Sequence, residues 1–299
     1  MVPAHVCHEE VLPLIQLDQK NHLANTKEMA WNSVHGVAFH RGLGSSVRPS
    51  SSTFMKYLDA ETIESFGSVV YSKPNFAVVA NGADHSELSR WVGEFFADAS
   101  SSPPANAFEL NSEQSKYYGG EERIAHGSGN SMAIAFPGSS SFTGGSYKPE
   151  IAVLASLLGG QSSIKWSPGF SLLGKATASH PGVSADTKSA IYSDAGLLVV
   201  TLNGSAKDVA GAAHEAVNTI KKIAGGEIGK EDIAKAVAHA KFKELEFGQN
   251  IWAGLELTGS GLVQGGKAYQ LDETAKAIGE VTEEQVKKVS SAFAPILSL

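Results

Sequence analysis

Cysteine is almost absent from this chain of 299 residues. Cys7 stands alone, which excludes an intrachain disulfide framework and any cysteine-only metal site. Charge is sparse too, at 18% against about 25% in an average domain, and it is not basic. A formal net charge of −7 argues against a nucleic-acid binder, which would present a basic balance or patch. Long apolar runs are missing as well. The best of them, Ile151–Leu158 and Ala195–Leu202, are core-sized and far short of the roughly 18 residues a membrane helix needs. The opening Met1-Val2-Pro3-Ala4-His5 shows neither the regions of a secretory signal nor the Arg- and Ser-rich character of a transit peptide. What remains is 42% hydrophobic residues and 31 glycines over a length that favours two domains: a soluble, mildly acidic α/β or α+β protein.

The first clear unit spans residues 59–97. Asp59 can cap a helix with Ile63, Phe66 and Val70 on one face, and Pro74 stops it. Phe76-Ala77-Val78-Val79-Ala80 reads as a short buried strand that turns at Asn81-Gly82. Asp84 and Glu87 open a second helix whose Leu88, Trp91, Val92 and Phe95 have the spacing of a core-facing stripe. The Ser/Pro-rich stretch from Ala99 to Asn106 then lacks any apolar period and marks the best domain boundary, within a linker over 99–112.

The second half repeats the alternation. Strands are expected at Ser131–Phe136 and Gly196–Leu202, the latter ending at Asn203-Gly204. Pro149 suits the first turn of a helix running to Leu158 and the Gly159-Gly160 pair. Further helices follow at about 207–223 and about 230–247. In the last helix Thr282 and Gln285 fit a capping box, Val281 and Val286 the hydrophobic staple, and Val286, Val289 and Phe293 a core stripe.

The residues form no complete catalytic constellation. His5-Val6-Cys7-His8-Glu9 transposes the inverted zincin order His-x-x-Glu-His, so the base position is lost. Pro3 and Pro13 crowd a helix there, and the expectation is a frayed terminus with solvated side chains. His35 and His40 lie five apart on a helical stretch at 14–40 and do not stack on one face, so His35 reads as a packing histidine. His214 and His239 are isolated on Ala-rich helices. No Gly-x-Ser-x-Gly elbow occurs, and no glycine cluster ends in the Lys and Ser/Thr of a phosphate loop. Such glycine pairs mark turns, helix C-caps or close packing.

Five segments taken together resemble the pitrilysin-like M16 peptidase family along essentially the whole chain. They are Ser33–Gly44, Tyr57–Glu61 with Lys73–Gly82, Tyr118–Arg123, Leu158–Trp166 and Tyr192–Leu197. The resemblance implies an α+β fold of two homologous α/β rolls joined by a linker. Residues 1–98 would be the later half of an incomplete first roll, 99–112 the linker and 113–299 the second roll. Active members carry His-x-x-Glu-His near the start of the first roll and a further glutamate ligand on a later helix. Here that helix corresponds to 14–40 and offers Gln16, Asp18, Gln19 and Asn21 instead of an acidic cluster. The likeness is greatest to non-catalytic members built into the mitochondrial cytochrome bc1 complex (respiratory complex III). It therefore implies no catalytic, cofactor-binding or metal residue, and no cofactor, nucleic acid or small-molecule ligand. The implied partners are core subunit 1 and the other bc1 subunits, with the chain peripheral to the inner membrane on its matrix side. In the presequence-recognising relatives a flexible glycine-rich loop falls where this chain has Gly159–Phe170, with Ile164, Lys165, Trp166 and Pro168 in its place. The abrupt Met1-Val2-Pro3 reads as a shortened beginning, and a sheet lacking a neighbour would expose an edge prone to aggregation.

Overall fold

The computed structural model describes residues 4–48, 56, 59–102, 113–161 and 169–293. Its N-terminal segment is helical without a break up to Ala24: a short turn α1 (Ala4–Val6), a wider π turn (Cys7–Val11) and α2 (Leu12–Ala24). The expected fraying is therefore corrected. Pro13 has no N–H to give, and it is accommodated at the start of α2 behind a turn in which the Leu12 N–H donates to the Cys7 carbonyl, one residue further back than in an α-helix. The helix expected over 14–40 is two helices. Asn25 takes an extended conformation (φ −107°, ψ 99°), and its side chain accepts from the Lys27 and Glu28 N–H groups, starting α3 (Thr26–Phe39). His40 ends α3 at φ 60°, a conformation costly for a residue with a Cβ, and its N–H closes on the Gly36 carbonyl at 2.9 Å.

Asp59 caps α4 (Ala60–Val70) through the Thr62 N–H at 2.7 Å, and Asp84 caps α5 (His85–Phe95) through the Ser86 and Glu87 N–H groups. Both starts are where the sequence puts them. Between these helices Phe76–Ala80 is extended but not a strand: no described segment pairs with it, and an extended chain becomes a strand only by sharing its N–H and C=O groups. The 99–112 linker lies outside the described residues from 103 onward.

One antiparallel sheet organises the remainder, in the order β1 (Asn130–Pro137), β3 (Gly196–Gly204), β2 (Ser184–Ile191). Because successive side chains alternate between faces, β3 feeds two cores. Leu198, Val200 and Leu202, with Ile134 and Phe136 of β1, face a layer containing α6 (Pro149–Leu158) and α8 (Ala206–Ala224). Leu197 and Val199, with Ala133 and Ala135, face α3, which contributes Trp31, Val34, Ala38 and Phe39 at helical spacing. The sheet is thus the middle of three layers, and the third is a helix from the first 40 residues.

The helical side is filled by α7 (Leu172–Ala176), α9 (Lys230–Gly248), α10 (Ile251–Gly265), α11 (Leu271–Gly279) and α12 (Glu283–Ser291). Its capping box Thr282–Gln285 forms as expected, Val281 and Val286 are buried, and Phe293 stacks on Phe136 with ring centroids 4.3 Å apart. Gly159 caps α6 at φ 55°, where a Cβ would meet Ser171 at 2.5 Å, so only glycine fits.

Candidate interaction surfaces

Among the described residues no three of His, Cys, Asp and Glu are grouped to hold a metal ion. His5 and His8 are exposed on the N-terminal turns, Cys7 beside them is buried, and His214 is exposed on α8. His40 packs against the ring of Tyr118 at 4.8 Å.

His35 is buried on α3 with both ring nitrogens committed. Nδ1 lies 2.7 Å from the Trp31 carbonyl and Nε2 lies 2.6 Å from the Tyr192 hydroxyl. A carbonyl only accepts, so Nδ1 carries the proton and Nε2 accepts from Tyr192. Burial pushes the Tyr192 phenol above its ordinary value, which keeps that donor protonated. This pins α3 to the β2–β3 turn, and His35 is the packing histidine the spacing suggested. Tyr192→Phe strands Nε2 without a donor and is expected to cost about 1–3 kcal/mol in urea unfolding. A loss below about 0.5 kcal/mol would show that the bond does not fasten α3.

His239 differs. Its ring meets Phe170 edge-on at 5.1 Å, its Nδ1 is buried without a partner, and burial, then the Lys243 charge, lowers its pKa. The unfolded chain therefore binds a proton on this histidine at a higher pH than the folded chain does. Stability is kept above the ordinary histidine pKa near 6.5 and declines as pH falls through it toward the lower folded value. Denaturation midpoints at pH 7.5 and 5.5 are expected to differ less in His239→Gln than in the unaltered chain. An unchanged difference removes His239 as the cause.

A cleft of about 760 Å³ opens between α3 and β1, bounded by residues 120–126. The segment 117–126 ties the layers together: Tyr118 N–H donates to the Ala38 carbonyl at 2.8 Å, Tyr117 Oη to Ala135 O at 3.3 Å, and Ser33 Oγ bonds the Glu122 carboxylate. His126 Nε2 reaches Leu23 O at 2.6 Å.

Apolar side chains on several helices face solvent. The stripe on α5 expected to meet a core is only half-buried at Leu88 and Val92, while Trp91 is 45% and Phe95 78% exposed. The expectation is corrected because no sheet among the described residues covers that face. Phe66, Tyr71 and Phe96 are exposed nearby in sequence, and on α10 Ile251 and Trp252 are exposed as well, Trp252 to 81%. Clustered apolar exposure of this kind marks contact surfaces or aggregation hazards. Replacing Trp91 and Phe95 together by serine is expected to raise the solubility limit while moving the unfolding free energy by no more than about 0.5 kcal/mol. An unchanged solubility limit would acquit the patch.

The architecture defines an α+β protein, an antiparallel sheet between helical layers, whose outer helices present uncovered apolar faces. The profile described as peptidase M16 inactive domain matches residues 57–239, well over half of the sequence, and the chain belongs to that family. It is 43% identical to the mitochondrial cytochrome b-c1 complex subunit 2 of Neurospora crassa over 95% of its own length and 61% of that relative's. Against the subunit of the same description from Yarrowia lipolytica, identity is 30% over 97% of this chain and 66% of the relative. A structure titled Complex III2 from Candida albicans, Inz-5 bound, superposes with a TM-score of 0.73 at 16% identity, covering 94% of this chain and 67% of that one. This last likeness concerns the fold. The chain spans about three fifths of the Neurospora relative.

Proposed function

We propose that the chain acts as a non-catalytic structural subunit of mitochondrial ubiquinol–cytochrome c oxidoreductase, in the place of core subunit 2. Its work is assembly and stability of the complex, and electron transfer belongs to the haem and iron–sulfur subunits. The observation that carries this reading is 43% identity across 95% of the chain to a cytochrome b-c1 complex subunit 2. The matching inactive-domain profile and the lack of His-x-x-Glu-His in the sequence support a role without peptidase chemistry. In this reading the chain pairs with core subunit 1 and lies peripherally on the matrix side of the inner membrane. That is consistent with the described helices, none of which is long and apolar enough to cross a bilayer. Residues 1–98 form the later half of a first M16-type roll, 99–112 the linker and 113–299 the second roll. The uncovered faces of α5 and α10 support burial against other subunits.

The test is co-migration. After gentle solubilisation of inner membranes, the chain is expected to run with the cytochrome b and c1 haems, and free migration would refute the assignment. A second reading, a subunit of the processing peptidase, draws on weaker similarity. The chain is 26% identical to a mitochondrial-processing peptidase subunit alpha-2 from Dictyostelium discoideum. Stoichiometric zinc with turnover of a presequence peptide by the purified chain would favour an M16 endopeptidase over the scaffold.

A further inference from the structure

A cavity of about 240 Å³, separate from the α3–β1 cleft, lies where α9, α10 and α11 meet the 139–149 loop. It is smaller than the roughly 300–1,000 Å³ usual for drug-sized ligands, so its occupant is small. Most of its wall is apolar or aromatic, with Phe142, Tyr147, Phe247 and Leu257 among the lining groups. One carboxylate, Glu244 of α9, lines it. The Tyr269 hydroxyl donates to Glu244 Oε1, and among the described residues Glu244 forms no ion pair. Two lysines are near. Lys267 is engaged by Glu273 at 2.7 Å and lies 5.0 Å from the Phe142 ring centroid, while Lys148 lines the cavity without pairing with Glu244.

The phenols register the negative field. Tyr147 is pushed up to about 12, chiefly by burial and then by Glu244 and Glu150, and Tyr269 is raised by burial and by its bond to Glu244. Both therefore stay protonated, as donors and as aromatic walls. The shape is held from outside: a Cβ on Gly265 would lie 2.5 Å from Thr143, so α10 sits hard against the 139–149 loop. One on Gly261 would lie 2.5 Å from the Lys267 carbonyl oxygen, so the chain after α10 folds back closely on the helix.

We propose that this cavity binds a small organic cation, an ammonium group on a compact aromatic body, with Glu244 as its counter-charge and Tyr147, Tyr269 and Phe142 around it. Charge complementarity selects this occupant. Glu244, half-buried in a mainly apolar wall and without an ion pair among the described residues, favours a cation, whereas Lys148 is exposed to solvent and Lys267 is held by Glu273. The aromatic faces of Tyr147 and Tyr269 add to that attraction while disfavouring anions. This departs from the sequence expectation of no small-molecule ligand, and it does not depend on the bc1 assignment.

Phenethylammonium, 3-phenylpropionate and phenethyl alcohol are the probes, titrated against the full chain by calorimetry and by saturation-transfer NMR. The cation is expected to bind about tenfold or more tightly than the acid or the alcohol, and Glu244→Gln to remove most of that preference. Tyr269→Phe is expected to weaken cation binding less than Glu244→Gln does. Equal binding of acid and cation to the unaltered chain overturns the proposal whatever the variants do, as does the absence of cation binding. Undiminished cation affinity in a Glu244→Gln chain with an unchanged unfolding curve overturns it too. N-acetyl-lysinamide binding as tightly as phenethylammonium would assign the pocket to lysine side chains and overturn the small-molecule reading.

Discussion

Leu198→Asp is expected to abolish cooperative folding. Leu198 is fully buried in β3, the central strand, on the face packed by α6 and α8, with Phe136 and Leu154 in the same core. An aspartate there has no cation among the residues of that core, so it must either strand a charge or bind a proton at neutral pH. Either way the loss is at the extreme of single substitutions, above about 4–5 kcal/mol, and comparable with the whole stability of a domain at the lower end of about 5–15 kcal/mol. Near-UV circular dichroism and a urea titration read the outcome. The matched control is Phe242→Asp on α9, a residue 60% exposed, where a change within about 0.5 kcal/mol is expected. A sharp transition in Leu198→Asp, less than about 2 kcal/mol below the unaltered chain, would mean that β3 is not the centre of the core.

Phe39→Ala is expected to cost about 3–5 kcal/mol and to uncouple the N-terminal helices from the sheet. Phe39 is 3% exposed at the last turn of α3, packed in the cluster with Leu197 and Val199. Its loss leaves a cavity between the layers, because the neighbouring wall cannot close in: a Cβ on Gly44 would lie 3.1 Å from the Phe39 carbonyl carbon, so the turn already touches the helix end. Tyr192→Phe attacks the same layer through hydrogen bonding, and the two changes are close enough to be non-additive. Hydrogen exchange is the discriminating measurement: amides of residues 26–39 should lose protection while those of β3 keep theirs. Equal loss at both places would show that the three layers unfold as one unit.

How much of this is legible in the sequence differs by element. Caps are the most legible. Asp59, Asp84 and Thr282 start helices where the residue types predict, because a cap is settled by a side chain and an N–H two or three residues on. The central strand was legible as well, since Leu197–Val200 is apolar on both faces and only a strand buried on both sides needs that. Strand β2 is not legible: Ser-Ala-Asp-Thr-Lys-Ser-Ala-Ile has little apolar signal, and its position is set by pairing with β3. Helices α10 and α11 are not legible either, nor is the Glu244 cavity, whose lining is drawn from separate stretches between Ser139 and Ile278. No period or motif encodes such a meeting of loop and helices.

The sequence by itself determined helix starts, the buried central strand, the M16 likeness and the absence of a His-x-x-Glu-His motif, because each depends on residues near one another in the chain. Only the tertiary structure decided that Phe76–Ala80 goes unpaired, that the α5 stripe faces water, and that α3 rather than a later helix covers the second face of the sheet. Burial and strand pairing are properties of two surfaces. An apolar stripe declares that a helix needs a partner, and only the packed chain shows whether it has found one.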